Sequence, residues 1–175
     1  KIALDLPPEQ LWYSLDSVGF GKATGSGFPG ESGGYLSDYM EWSDIERATL
    51  AFGYGLSVTP LQLAQAYSVI ASGGLAYPVT FQKVETPDEP ERVLAPHATL
   101  QVRAMLEAAT GPGGTGKRAR ISGYRVAGKT GTVRKPTVGG YSEDRHIAVF
   151  AGMAPASSPR LVATVTIDEP SGKEY

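Results

Sequence analysis

The sequence predicts an α+β fold, an antiparallel sheet packed with helices. Apolar residues recur at three- and four-residue spacing within 8–18, 45–52, 60–72 and 96–110, the period of helices with one buried face. Three β-rich runs then follow one another, 124–134, 146–153 and 161–168. Their links, 135–145 and 154–160, are too short to carry a crossover helix, so the strands pair antiparallel. Helices followed by a terminal antiparallel run make an α+β architecture.

Taken in order, Pro7-Pro8 and Glu9 suit a first helical turn, and Leu11, Leu15 and Val18 form a stripe that Gly19 ends. Residues 19–44 read as loop, too glycine-rich for regular structure. Phe20, Phe28, Tyr35 and Trp42 are costly to leave wet, so a packed irregular loop is expected there. Ser43-Asp44 caps a short helix from Ile45 to Phe52. Thr59-Pro60 opens the next, with Leu63, Ala66, Tyr67 and Ile70 as its apolar face and Gly73-Gly74 as its end. Its hydrophobicity marks it as buried. Residues 76–94 read as extended pieces, with Val79–Phe81 and Arg92–Leu94 as a small hairpin around Pro87-Asp88. The helix at 96–110 turns Ala98, Val102, Met105, Leu106 and Ala109 to one side.

Composition bounds the function. A chain of 175 residues with 41% apolar content can bury a real core. Sixteen basic against 18 acidic residues, net charge -2, give no nucleic-acid surface and no polybasic membrane patch. There is no Cys, which removes disulfides, thiolate metal sites and a Cys nucleophile within the chain. Two His cannot build a His-rich metal site, and no cofactor is implied. Gly111 to Lys117 fits the Gly-x-x-x-x-Gly-Lys part of a phosphate-binding loop, but Arg118 stands where Ser or Thr should hold Mg²⁺. The loop also follows a helix and leads into a strand, the reverse of that motif's order. It is expected instead to be a mobile loop packed near a site. The abrupt ends, Lys1-Ile2-Ala3-Leu4 and Ser171 to Tyr175, suggest a piece of a longer protein.

The chemistry concentrates in Tyr124 to Arg134. Strand alternation puts Thr130, Thr132 and Arg134 on one face and Lys129 and Gly131 on the other. Two hydroxyls and a guanidinium suit a carboxylate, with a compact cation beside them. A Lys-Ser/Thr-Gly triplet alone is a weak signal, arising by chance in roughly one chain in ten of this length.

Its flanks make it specific. Gly19-Phe20-Gly21, Thr24-Gly25 and Phe28-Pro29-Gly30-Glu31 come first, then Gly53-Tyr54-Gly55-Leu56-Ser57-Val58-Thr59-Pro60-Leu61-Gln62-Leu63. Gly114 to Ala119, Tyr124 to Thr132 and Asp168-Glu169-Pro170 follow. In this order the chain resembles the transpeptidase domain of class B penicillin-binding proteins, of the septum-forming FtsI type, over nearly its whole length. The resemblance implies an incomplete penicillin-binding/β-lactamase-like fold. Of the family's three motifs only Lys-Thr-Gly is present: neither Ser-x-x-Lys nor Ser-x-Asn occurs. Residues 1–175 are therefore expected to be the C-terminal part of the domain, without its final helix, N-terminal domain or membrane anchor.

The resemblance further implies acyl transfer by a serine outside this chain. Peptidoglycan stem peptides ending in D-Ala-D-Ala are the expected substrates, β-lactams their mimics, and divisome membrane proteins partners at the inner membrane, with the domain facing the periplasm. Lys129 would serve proton traffic, Thr130 and Thr132 would hold the substrate carboxylate, and the Thr132 N–H would be an oxyanion donor. Gly131 would leave room for substrate backbone, and Arg134 would extend the carboxylate subsite. Tyr141, His146 and Tyr175 would line the cleft. A histidine at a strand start is more often a surface residue, and Asp168-Glu169 reads better as a turn than as an acid pair. The stretch 135–145 is expected to be mobile and to order on ligand binding. Two other readings remain open: a serine β-lactamase or carboxypeptidase, and a non-catalytic penicillin-binding sensor or division scaffold.

Overall fold

The computed structural model describes residues 1–86, 88–137 and 140–171. The chain forms two compact units, Lys1–Thr99 and Leu100–Tyr175.

The first unit is helical, with two small antiparallel ladders. Helix α1 (Ile2–Asp5) packs on α3 (Asp44–Leu50), and Nη2 of Arg47 on α3 donates to the carbonyls of Ala3, Leu4 and Leu6 that end α1. Helix α2 spans Pro8–Ser17, as its pattern predicts, and Gly19 follows at φ 99°. Within the predicted loop, β1 (Tyr35–Leu36) pairs with β2 (Leu56–Ser57), and Tyr39–Glu41 forms a single 3-10 turn. The Trp12 and Trp42 indoles donate to Ser37 through its carbonyl and its hydroxyl, so Trp42 is tied down as expected. Phe28 and Tyr35 are not: both lie exposed, Phe28 edge-on to Phe81.

Helix α3 carries a full Ser43/Glu46 capping box and stops two residues before Phe52. Helix α4 (Pro60–Ala71) has the same device in Thr59 and Gln62. Its most buried residues are Gln62, Ala66 and Val69, a stripe rotated from the expected Leu63, Ala66, Tyr67 and Ile70. The cause is Gln62. Its amide nitrogen donates to the carbonyls of Lys22 and Gly33, each at 2.8 Å, and of Gly19 at 3.4 Å, while its oxygen accepts from the Thr59 N–H. A fully satisfied buried amide holds the loop to the helix, which hydropathy cannot show. The expected Val79–Phe81 hairpin does not form. Strand β3 (Leu75–Ala76) pairs with β4 (Glu91–Arg92), and Pro87 lies outside the described residues.

Helix α5 (Pro96–Thr110) leads into the second unit. Its buried residues are Thr99 in the first turn and Thr110 at the end, whereas Val102 and Met105 of the expected apolar face are exposed. After a loop and a 3-10 turn at Lys117–Ala119, β5 (Ala127–Thr137), β6 (Gly140–Ala154) and β7 (Leu161–Asp168) form one antiparallel sheet in that order. Tyr124 precedes the strand, in a bridge with Ile121. The stretch 135–145 is largely strand rather than link: the ladder continues past a bulge between Arg134 and Pro136, and Val138 and Gly139 lie outside the described residues. Buried in the sheet are Ala127, Ala151 and Met153, with buried Val126 just before β5. Among the described residues no helix is long and apolar enough to cross a membrane, and no cluster of acidic, His or Cys side chains could hold a metal.

Candidate functional site

Among the described residues β5 is an edge strand, paired on one side with β6. Its first residues are packed. A Cβ on Gly128 would lie 2.6 Å from the Phe150 ring and 2.7 Å from the Ala151 carbonyl oxygen, so only glycine fits there. From Lys129 onward the strand is exposed or half-buried. Gly131 stands in open space: a methyl there would meet only the Val149 side chain, at 3.9 Å. Its backbone is thus bare on an unpaired edge, where an extended ligand can add as a strand.

The Lys129 ammonium donates to the Thr130 carbonyl at 2.8 Å and to the Thr115 hydroxyl at 3.4 Å. The Thr130 hydroxyl reaches the same Thr115 oxygen at 3.2 Å. Simple alternation separates Lys129 from Thr130, but the flexible lysine stem folds back and both meet at one hydroxyl. Sequence reasoning does not find Thr115. Its only signal there is its place in the glycine-rich loop that imitates a phosphate-binding motif.

That loop is held tightly. The Gly116 N–H donates to the Ala109 carbonyl at 2.9 Å, and a side chain on Gly114 would collide with the same oxygen. Buried Thr110, the last residue of α5, donates to the carbonyl of Val126 just before β5. Arg125 makes a two-point ion pair with Glu107 of α5, its Nη2 2.7 Å from Oε2, and Arg125 holds the Glu107 carboxyl below the usual range. The end of α5, the loop and the start of β5 are thereby one assembly.

The register places the remaining candidates. Thr132 opposes Ala148 and Arg134 opposes His146, so His146 shares a face with Arg134 and Thr132. Tyr141 opposes Pro136, beyond the bulge, about 13 Å along the strand from Thr132 at ~3.3 Å per residue. It is exposed, and its position is at the far end of the hairpin. Tyr175 lies outside the described residues. Asp168 and Glu169 do not form an acid pair. Both bind the Lys135 ammonium, at 2.6 and 2.8 Å, and Glu169 turns at φ 48° with its N–H on the His146 carbonyl. The two carboxylates raise the Lys135 pKa, Asp168 the more strongly.

The Penicillin binding protein transpeptidase domain family matches residues 1–175. The chain belongs to that family. FtsI, a peptidoglycan D,D-transpeptidase of Escherichia coli K12, is 45% identical over the whole chain, which covers 30% of that protein. PenA of Neisseria meningitidis, a probable peptidoglycan D,D-transpeptidase, is 39% identical over the same span, again 30% of its length. The apo transpeptidase domain of Burkholderia pseudomallei penicillin-binding protein 3 superposes with a TM-score of 0.92 at 43% identity, covering 97% of this chain and 52% of that one. Penicillin-binding protein 3 of Mycobacterium tuberculosis, solved with aztreonam, gives 0.87 at 34% identity, with coverages of 94% and 41%. The chain thus spans about a third of the length of its curated relatives, and its mixed helices and antiparallel sheet are those of the penicillin-binding fold.

Proposed function

We infer that the complete protein is a serine-type D,D-transpeptidase that cross-links peptidoglycan stem peptides during septum formation. The observation that carries this reading is the Lys129-Thr130-Gly131-Thr132 strand. It is open at one edge, with a cation and hydroxyls clustered on it, in a chain 39–45% identical to proteins named peptidoglycan D,D-transpeptidases. A serine from outside this chain attacks the carbonyl between the two terminal D-alanines. Its proton passes to a base, and the leaving D-alanine amine takes a proton as the bond breaks. An amine of a neighbouring stem then attacks the acyl-serine and forms the amide cross-link.

In this reading Lys129 attracts the substrate carboxylate and serves proton traffic, and Thr130 and Thr132 hydrogen-bond that carboxylate. The Thr132 N–H faces the developing oxyanion, and Gly131 lets the peptide lie along the strand. Arg134, with His146 opposite it, extends the subsite, and Tyr141 borders it. β-Lactams occupy the same place and remain as acyl-enzymes. Divisome membrane proteins are the partners, and the domain faces the periplasm from an inner-membrane anchor.

Lys129→Ala in the complete protein tests the reading. Labelling by a fluorescent penicillin should slow by about a hundredfold or more, the scale of a lost proton-transfer group, with the melting midpoint nearly unchanged. Labelling at the original rate would remove Lys129 from the mechanism.

A further inference from the structure

We propose that Thr115 is a positioning residue, which anchors the Lys129 ammonium and turns the Thr130 hydroxyl into a stronger donor for an anionic substrate end. The assignment rests on the transpeptidase reading above. An ammonium can only donate, so the Thr115 oxygen accepts from Lys129 Nζ, 3.4 Å away. A hydroxyl that accepts from a cation is polarised and donates more strongly in turn. Its other neighbour is the Thr130 hydroxyl, at 3.2 Å.

In the unliganded chain Thr130 donates to Thr115. If the Thr130 O–H stayed there, it could not serve a carboxylate. Hydroxyls rotate, so an arriving carboxylate draws the Thr130 proton to itself, and Thr115 then donates to Thr130. The outcome is a continuous relay from the ammonium through Thr115 and Thr130 to the anion. Without Thr115, Thr130 loses the donor behind it and Lys129 loses one of its two anchors.

The support beneath Thr115 is rigid enough for this task. Gly114 and Gly116 sit so close to the end of α5 that larger residues are excluded or crowded. A Cβ on Gly116 would lie 3.2 Å from Thr110 and 3.3 Å from the Ala109 carbonyl oxygen. Thr110 in turn bonds the backbone leading into β5. Thr115 therefore sits at a set height over Lys129 and Thr130 although its own side chain is exposed.

The test compares Thr115→Val, which keeps the shape and removes the hydroxyl, with Thr115→Ser, which keeps the hydroxyl. Both are made in the complete protein. Acylation by a fluorescent penicillin should fall about tenfold in the valine variant and stay within about threefold in the serine variant, roughly one lost hydrogen bond to a charged network. Melting midpoints should match. A valine variant that reacts at the original rate overturns the proposal. So does a serine variant as slow as valine, because the methyl rather than the hydroxyl would then matter. Crystal structures of both variants give a second readout: Lys129 Nζ should leave its place in the valine variant alone, and an unmoved ammonium there overturns the proposal. If the unsubstituted protein takes no penicillin, the transpeptidase reading fails, and the ammonium's position still decides the role of Thr115.

Discussion

Gly128 and Gly131 stand three residues apart on β5 and answer to different demands. Gly128 is packed against Phe150 and the Ala151 backbone, whereas Gly131 has open space before it. Gly128→Ala should therefore destabilise the complete protein by about 1–3 kcal/mol, the usual cost of overpacking, visible in a thermal melt. Gly131→Ala should leave the melt nearly unchanged and slow penicillin acylation, because the new methyl occupies ligand space. A Gly131→Ala protein acylated at the original rate would contradict an edge-bound ligand. These residues are legible in the sequence because Lys-Thr-Gly is a contiguous string and its chemistry is local. Thr115 is not, since its link to Lys129 is made through a folded loop. Gln62 escapes for a related reason: a polar residue becomes core only when several backbone carbonyls converge on it.

The long elements follow their sequence periods. Strand β7 has its expected bounds, and α2, α4 and α5 lie within a residue of theirs. Two-residue strands such as β1 and β3 carry no readable period, and in sequence they look like loop. The β5–β6 hairpin runs longer than expected because polar, glycine-containing sequence resembles a link, whereas an edge ribbon tolerates both. The loop at 24–31 is closed by Glu31, which accepts from the Thr24 N–H and hydroxyl and from the Ser26 hydroxyl. The Thr24 hydrogen bonds do most to lower the Glu31 pKa. A lowered carboxylate pKa means that this closure is complete above the ordinary carboxylate range and is lost as pH falls through the depressed value. Hydrogen exchange at Thr24, relative to its intrinsic rate, should therefore quicken on acidification. Glu31→Gln should exchange fast across the whole range, and unchanged protection would show that the loop is held otherwise.

At the scale of the whole molecule, the second unit presents a three-stranded sheet whose β5 edge is bare among the described residues and whose β7 carries exposed Leu161, Val165 and Ile167 along one face. The edge offers a cation, hydroxyls and unpaired backbone, which in the proposed reaction bind and polarise the substrate. Neither serine motif of the family occurs in these 175 residues. Under the proposed function the chemistry is divided between this wall and a serine from outside these 175 residues. Family membership is legible from motif order. Intact mass after incubation with benzylpenicillin tests that division most directly. The complete protein should gain the mass of one penicillin, and the 175-residue chain alone should gain none. A complete protein that stays unmodified, or an isolated chain that takes the adduct, would contradict it.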